Sequence, residues 1–435
     1  MNIQQEKISL INGKIHTRSG IASNITFENG LIVSIDDEAG FSGKIIDLHG
    51  RTVLPAFCDS GINFLSFAEN QERLNLSGVH SVKDFKEALS AFFQSNQNPL
   101  RGWYIAYGLG EDVSISHDDI EEVISSLPCA VIDSKNTHII LNSAAMSELN
   151  MPQDNVEPEE FFGHIPELSS DEIKLLFETY SPKISSLGIS EIWADFYNEK
   201  NLWGVLNDVI YDKLNFRLRC NFGFDNSASL NEFLSSGLRT GDGLPFCKIG
   251  GILIKDSLDQ QEQKNMIFSA HLSGCQVITE NNKSCLNALE RVAKKVKKNS
   301  RHLVKNFADS SLERMKILNL GGISIVNQNE NFIHEAFMNG VVSSVSSGEN
   351  ITSPLKNISR LVSNGLSVAE ALSVYTWCAA WNGGNDLRRG ELAVGNDADL
   401  IVLEQDPFLV RPEEISLIDI SATFTAGCPV YEEKL

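Results

Sequence analysis

The sequence predicts an α/β chain: a (β/α)8 TIM-type barrel carrying a small β-sandwich built from both termini, with an insertion after the first barrel strand. Three features of the 435 residues carry this expectation. Both ends read as short β-meanders. Apolar runs of strand length recur from residue 53 onward with helical stretches between them. A long segment with strands and helices of its own interrupts that alternation after the first run. The length suits one barrel plus an accessory domain.

The N-terminal meander has apolar runs at 8–11, 14–17, 25–27 and 31–35, punctuated by Asn12-Gly13 and Asn29-Gly30. Asn-Gly between such runs signals a hairpin, because both central residues of the tight turn take φ > 0. The C-terminus offers strands at 399–403 and 421–425, the second followed by Gly427. Two short sheets need each other to bury a face, so residues 1–52 and 386–435 are expected to form one composite β-sandwich. Between them, 53–385 is expected to be the barrel. Its strand candidates lie at 53–58, 189–195, 216–222, 246–254, 274–280, 301–307, 321–328 and 341–347. Fully apolar strands alternating with helices are the mark of a parallel sheet whose strands are buried on both faces. The insertion, at about 64–188, has strand-like runs at 104–107 and 130–133 and is expected at the barrel mouth.

The 36 basic and 57 acidic residues give a net charge of −21, which opposes binding to nucleic acid or to an anionic membrane. The opening MNIQQEKISLING lacks a basic segment followed by an apolar core, and no run approaches the roughly 20 apolar residues of a membrane span. None of the eight cysteines forms a CxxC pair, so they are expected as buried free thiols in a reducing cytoplasm. GxSxG, a strand-borne GxGxxG and a P-loop are all missing. The basic run at 294–298 reads as a solvated helix face.

Several segments resemble the amidohydrolase superfamily, in particular its family-3 branch, the relatives of N-substituted formamide deformylase. They are TVLPAFCDS at 52–60, LSGVHS at 76–81 with WYIAYG at 103–108, HIILNSAAM at 138–146, and RGELAVGNDADLIVL at 389–403 with Asp406-Pro407. The resemblance implies hydrolysis of non-peptide carbon–nitrogen bonds by one or two divalent ions at the C-terminal mouth of the barrel. Such an ion lowers the pKa of a bound water to about 7 and polarises the scissile carbonyl. It also implies a His-x-His after strand one, a lysine on strand four, histidines on strands five and six, and an aspartate on strand eight.

Carried onto this chain, those positions read Gly61 and Asn63, Lys248, Glu280, Asn306 and Gly348. Only the lysine is retained. An ammonium has no lone pair, and an asparagine amide is a weak ligand for zinc. The expected protein is therefore an amidohydrolase-like chain with a degenerate metal site and no cofactor. Two alternatives stay open. One is an active hydrolase with a single divalent ion such as zinc, held by Asp59, Glu280 and a carboxylated Lys248. The other is a non-enzymatic binding or regulatory partner.

The catalytic candidates are Asp59, Lys248 and Glu280. Lys248 and Glu280 are expected to pair, filling the vacated volume together with Asn63 and Asn306. A small-molecule ligand at the mouth is expected to meet Asn63, Asn306 and Glu349, and also His138 and Asn142, which sit four apart in an expected helix. His302, near the start of strand six, is assigned to stability at the opposite end. A homodimer is the expected assembly.

Overall fold

The computed structural model describes residues 7–37, 43–197, 214–295, 301–309, 311–348 and 351–433. The chain divides into two compact units, residues 65–177 and the remainder.

In the larger unit, eight parallel strands pair in chain order: Phe57–Asp59, Ile189–Tyr197, Arg217–Gly223, Cys247–Ile254, Val277–Glu280, Leu303–Lys305, Ser324–Asn327 and Ser343–Val345. The cylinder closes between last and first. The amide of Ser60 donates to Val345 O (2.9 Å), and that of Gly348 to Gly61 O (2.9 Å). Alternate residues face opposite ways. Ile252, Val277, Val304 and Ile325 pack outward against helical residues such as Met266, Ile267 and Leu289. Cys58, Trp193, Leu253, Ile278, Leu303 and Val326 fill the centre, so the barrel is a packed core rather than a pore.

The expected first strand, 53–58, is two strands. Thr52–Pro55 joins a sheet of the terminal region, and only Phe57–Asp59 belongs to the barrel. Pro55 has no amide hydrogen with which to extend a ladder, and the chain changes sheets at Ala56. The two Asn-Gly turns also differ. Asn29 (φ 51°) and Gly30 (φ 80°) make the expected hairpin turn, pairing Glu28 with Leu31. Asn12 (φ 57°) instead carries the chain from one sheet to another. Ile8–Ile11 pairs with Ile25–Glu28 and Lys44–Asp47, whereas Lys14–Thr17 pairs with Gly20–Ala22 and Thr52–Pro55.

Strands from both ends of the chain share one six-stranded sheet. Its order is Cys428–Glu432, Ile420–Thr425, Leu400–Leu403, Thr52–Pro55, Lys14–Thr17 and Gly20–Ala22. Leu10, Ile25 and Phe27 of the four-stranded sheet pack in one core with Val53, Leu400, Val402 and Phe424 of the six-stranded one.

Charges are buried at the N-terminal end of the barrel, its floor. Arg217 grips Asp399 with two bonds, Nε to Oδ2 (2.8 Å) and Nη2 to Oδ1 (3.0 Å). Arg389 donates to Glu191 (2.6 Å) and Asp397 (2.9 Å), and Glu191 also accepts from the Trp193 indole (3.0 Å). Arg219 lies over the Trp193 ring at 5.0 Å, donating to Gly383 O and to Gln276 (both 2.9 Å). Burial opposes the charge on Asp399, yet Arg217 and Arg389 hold its carboxyl below the ordinary value.

The smaller unit has a five-stranded sheet in the order Asn155–Val156, Ile139–Leu141, Cys129–Asp133, Tyr104–Leu109 and Leu74–Asn75. Tyr104, Ala106 and Val131 pack on one face with Phe85 and Leu89 of the helix Val82–Ser95; Trp103, Ile105 and Ile132 pack on the other with Phe161.

Removing one partner from a buried ion pair leaves the other charge uncompensated, at a cost of about 3–5 kcal/mol. Asp399→Ala is expected to lose that much in urea denaturation, and Arg217→Met/Asp399→Leu to lose less than either single change. Because the folded-state pKa of Asp399 is depressed, its contribution is complete above the unfolded value, about 4, and fades as pH falls below it. The stability of Asp399→Asn should accordingly vary less steeply with pH on the acid side than that of the parent.

Candidate functional site at the barrel mouth

At the C-terminal ends of the strands, three side chains form a connected set and a fourth lies beside it across Gly61. Leu303 is in the interior cluster, so Lys305, two residues on, also points inward. Its ammonium is ion-paired with Asp195 of strand two, itself two residues beyond the interior Trp193. Asn221, opposite Asp195 in the ladder, donates to Asp195 Oδ1 (2.9 Å) and accepts from the Gly251 amide (2.8 Å). Gly250 leaves room for this, since a Cβ there would lie 2.1 Å from Asn221 Oδ1. The fourth is Ser346, whose hydroxyl donates to Gly61 O.

Gly61 shows how fully the space is taken. A Cβ at this position would fall 2.5 Å from Ser346 Oγ and 3.8 Å from Lys305 Cε. The lysine stem and the serine thus lie where a histidine at 61 would project. Gly348 is similar: its φ is 64°, and a Cβ would meet Gln328 Nε2 at 2.5 Å. An aspartate there would be strained as well as crowded.

Asp59 is completely buried, which keeps it from acting as a base on an external substrate. Its Oδ1 accepts from the amides of Gly61 (3.1 Å) and Ser347 (3.2 Å), and its Oδ2 has no hydrogen-bond partner. Burial pushes its pKa up; hydrogen bonds from Ser347 and Gly61 and the charge of Lys305 pull the other way.

The expected pairing of Lys248 with Glu280 does not form. Lys248 is the second residue of its strand, at the floor end, and its ammonium donates to Gly241 O (2.9 Å). Ile254 pairs with Thr279, which puts Glu280 level with residue 255, about 20 Å further along the strands at 3.3 Å per residue. A metal held jointly by Asp59, Glu280 and a carboxylated Lys248 is excluded by the same separation. Glu280 instead accepts from Asn306 Nδ2 (3.0 Å) in an exposed contact at the rim. Asn306 takes φ 51° after the strand has ended, so Lys305 is the inward residue of strand six. The amide of Asn63 donates to Gly348 O (3.0 Å). Glu349 lies outside the described residues.

In the smaller unit, His138 is exposed beside Glu157 (3.9 Å), while Asn142 is fully buried. The expected shared helix is not formed: 139–141 is a strand, and Asn142 caps the helix Ser143–Leu149. The cap uses its whole amide. Oδ1 accepts from Ala145 (3.0 Å) and Cys129 (2.9 Å), and Nδ2 donates to Ile124 O and Leu127 O (both 2.8 Å). No group remains for a substrate.

His302 is buried at the floor end, accepting from the Val277 amide (3.0 Å) and meeting His271 Nδ1 (2.8 Å). Burial and the neighbouring His271 bring its pKa down to about 3, so it is neutral in the folded protein.

Asp195, Asn221, Lys305 and Ser346 are not among the residues that the sequence singles out. The available signal was two-residue spacing from apolar residues that prove to be interior. The set does not suit the divalent ion that the resemblance implies. Asp195 is occupied by an ammonium, Asp59 is partly tied to backbone amides, and the imidazole positions carry glycine, two asparagines and Glu280, which is bonded to Asn306 at the rim. Among the described residues, no group of three or more His, Cys, Asp or Glu side chains could hold a metal ion.

The fold is a closed eight-stranded parallel barrel with added β-sheets, and known proteins share it. Residues 337–431 match the amidohydrolase family. A 69-residue stretch, 16% of this chain, is 39% identical to the putative amidohydrolase YtcJ of Bacillus subtilis (strain 168), but spans only 13% of that protein. An uncharacterised metal-dependent hydrolase from Pyrococcus furiosus superimposes with a TM-score of 0.76 at 19% identity, over 92% of this chain and 100% of the other. Atrazine chlorohydrolase TrzN from Arthrobacter aurescens TC1, solved with zinc, does so at 0.61 and 11% identity, over 98% and 95%. The family match takes in the last barrel strand and the tail; Asp195, Asn221 and Lys305 precede it.

Two substitutions test this geometry. Gly61→His must displace Ser346 and Lys305, and is expected to destabilise by about 1–3 kcal/mol as an overpacked core change. Asn142→Ala removes a cap and leaves buried backbone groups unpaired, with an expected loss of about 2 kcal/mol or more. Urea unfolding measures both.

Proposed function

We propose that this chain is an amidohydrolase-fold protein, derived from hydrolases of non-peptide carbon–nitrogen bonds, in which a lysine–carboxylate pair has replaced the catalytic metal. On this reading it does not carry out metal-dependent hydrolysis, and its mouth serves to bind a small polar molecule. The supporting observation is the position of Lys305: paired with Asp195, its stem lies against Gly61, where the resemblance would place the first metal-binding histidine. A hydrolytic ion must keep a coordination position for an activated water. Here an ammonium is present instead, with donor hydrogens and no lone pair to offer. Glu280 and Asn306 at the rim, with Asn63, give a ligand both acceptors and amide donors.

Elemental analysis of protein purified without chelators tests the reading. Zinc, manganese and iron are expected well below one ion per chain, and formamides and other N-acyl compounds are expected to stay intact whether or not zinc is added. One or more ions per chain, together with hydrolysis that a chelator abolishes and the metal restores, would overturn it.

A further inference from the structure

We infer that Ser143 and His117 form a second reactive site, in the smaller unit: a serine nucleophile held by a histidine base, suited to short, uncharged carboxylic esters. The site requires no metal and is independent of the reading of the barrel mouth.

Three segments bring the pair together. His117 opens the helix His117–Glu121, which Ser116 caps by accepting from the Asp119 amide. Ser143 opens the helix Ser143–Leu149, capped by Asn142. The strand Ile139–Leu141 leads into that cap, and its last carbonyl, Leu141 O, lies 2.8 Å from His117 Nδ1. A carbonyl oxygen can only accept, so Nδ1 carries the ring hydrogen and Nε2 keeps its lone pair. The Ser143 hydroxyl, 3.1 Å from Nε2, is therefore the donor. An alcohol bonded to a base that a third group orients is the arrangement of an activated nucleophile. The Glu121 carboxylate accepts from the Ser143 amide and lies 3.5 Å from His117 Nε2. It stands where it stabilises the imidazolium that proton transfer creates. Unlike the buried Asn142 beside it, Ser143 is exposed, and His117 is partly so.

A cleft of about 430 Å³ adjoins the pair, lined by His117, Met146, Pro152, Gln153, Asp154 and Asn155. That volume suits a small molecule. Met146 is three residues on from Ser143, on the same helix face. Met146 and Pro152 give the cleft an apolar wall, and Gln153 and Asn155 give it carboxamides. Its charges select the substrate. Asp154 is acidic, Glu121 lies beside His117, and no lysine or arginine is among the described lining residues, so an anionic substrate is repelled. The step is acyl transfer. Ser143 Oγ bonds to the acyl carbon as its proton passes to His117 Nε2. The bond from acyl carbon to alcohol oxygen breaks, and the imidazolium returns the proton to the leaving alcohol. Water then attacks the acyl-serine with His117 again taking a proton, releasing the acid and the free serine. Esters fit this step because an alkoxide or phenolate leaves far more readily than an amine, so formamides stay intact.

The experiment treats the full-length protein with p-nitrophenyl acetate in the presence of EDTA, follows the release of p-nitrophenolate, and locates the acetyl group by peptide mass spectrometry. Wild type is expected to show a burst of about one p-nitrophenolate per chain, with the acetyl group on Ser143. Ser143→Ala should abolish both, and His117→Gln should slow acetylation of Ser143 at least about tenfold. The anionic p-nitrophenyl succinate should react more slowly than the acetate. If His117→Gln does not fold, the wild-type burst and the position of the label decide the matter alone. A hydrogen bond that merely fastens the helix Ser143–Leu149 predicts no burst and no acetyl-serine. An unlabelled Ser143, a label confined to cysteines or lysines, or labelling equally fast in a folded His117→Gln would overturn the inference and leave the proposed function untouched. Hydrolysis that EDTA abolishes, with Ser143 unlabelled, would overturn the inference and count against the metal-free mouth as well.

Discussion

The larger unit depends on a buried meeting of arginines and carboxylates at the barrel floor. Arg217 on strand three and Glu191 on strand two are neighbours in the ladder. Each is claimed by the C-terminal tail: Arg217 by Asp399, Glu191 by Arg389. Asp399 immediately precedes the strand Leu400–Leu403 in the middle of the six-stranded sheet. One set of ion pairs therefore ties the sheet built from both termini to the barrel it accompanies. The desolvation penalty of such pairs is large, and fork geometry is what offsets it. Two acidic residues of the tail motif thus have a structural part, since Asp397 and Asp399 bond the floor arginines.

The two ends of the barrel use charge differently. On the floor, guanidiniums engage several partners each, so orientation is fixed by more than one bond. At the mouth the cation is an ammonium on a flexible stem, meeting one carboxylate directly and another through space. The floor is suited to holding strands in register, as expected of the N-terminal end of such barrels. Beneath the mouth, Trp193 and Leu303 fill the next layer of the barrel.

The barrel class was legible in the sequence because it depends on the period of apolar residues, whereas the six-stranded sheet that strands from both ends share was not, since the apolar runs do not say which strands pair. The failures were failures of phase and height. Assigning Asn306 rather than Lys305 to the mouth is a slip of one residue, and in a strand one residue exchanges the inner face for the outer. Lys248 has plausible chemistry at the wrong end of a strand, because composition does not reveal how far Cys247–Ile254 extends before reaching the level of Val277–Glu280. The two Asn-Gly turns are locally alike, and only non-local pairing makes one a hairpin and the other a passage between sheets. Asn142 was placed on a helix face when it caps a helix preceded by a strand, a distinction that rests on hydrogen bonds to Cys129, Ile124 and Leu127.

The positions at the mouth are also interdependent. A histidine at 61 would meet Ser346 and Lys305, and an aspartate at 348 would meet Gln328 in a backbone conformation that favours glycine. Neither substitution alone supplies a complete ligand set, and each introduces crowding before any metal could repay it. Lys305 is paired with Asp195, and its stem with Ser346 takes the space that a side chain at 61 would need. The crowding at the mouth is therefore set by Ser346, Lys305 and Gln328 together, while separate ion pairs hold the floor.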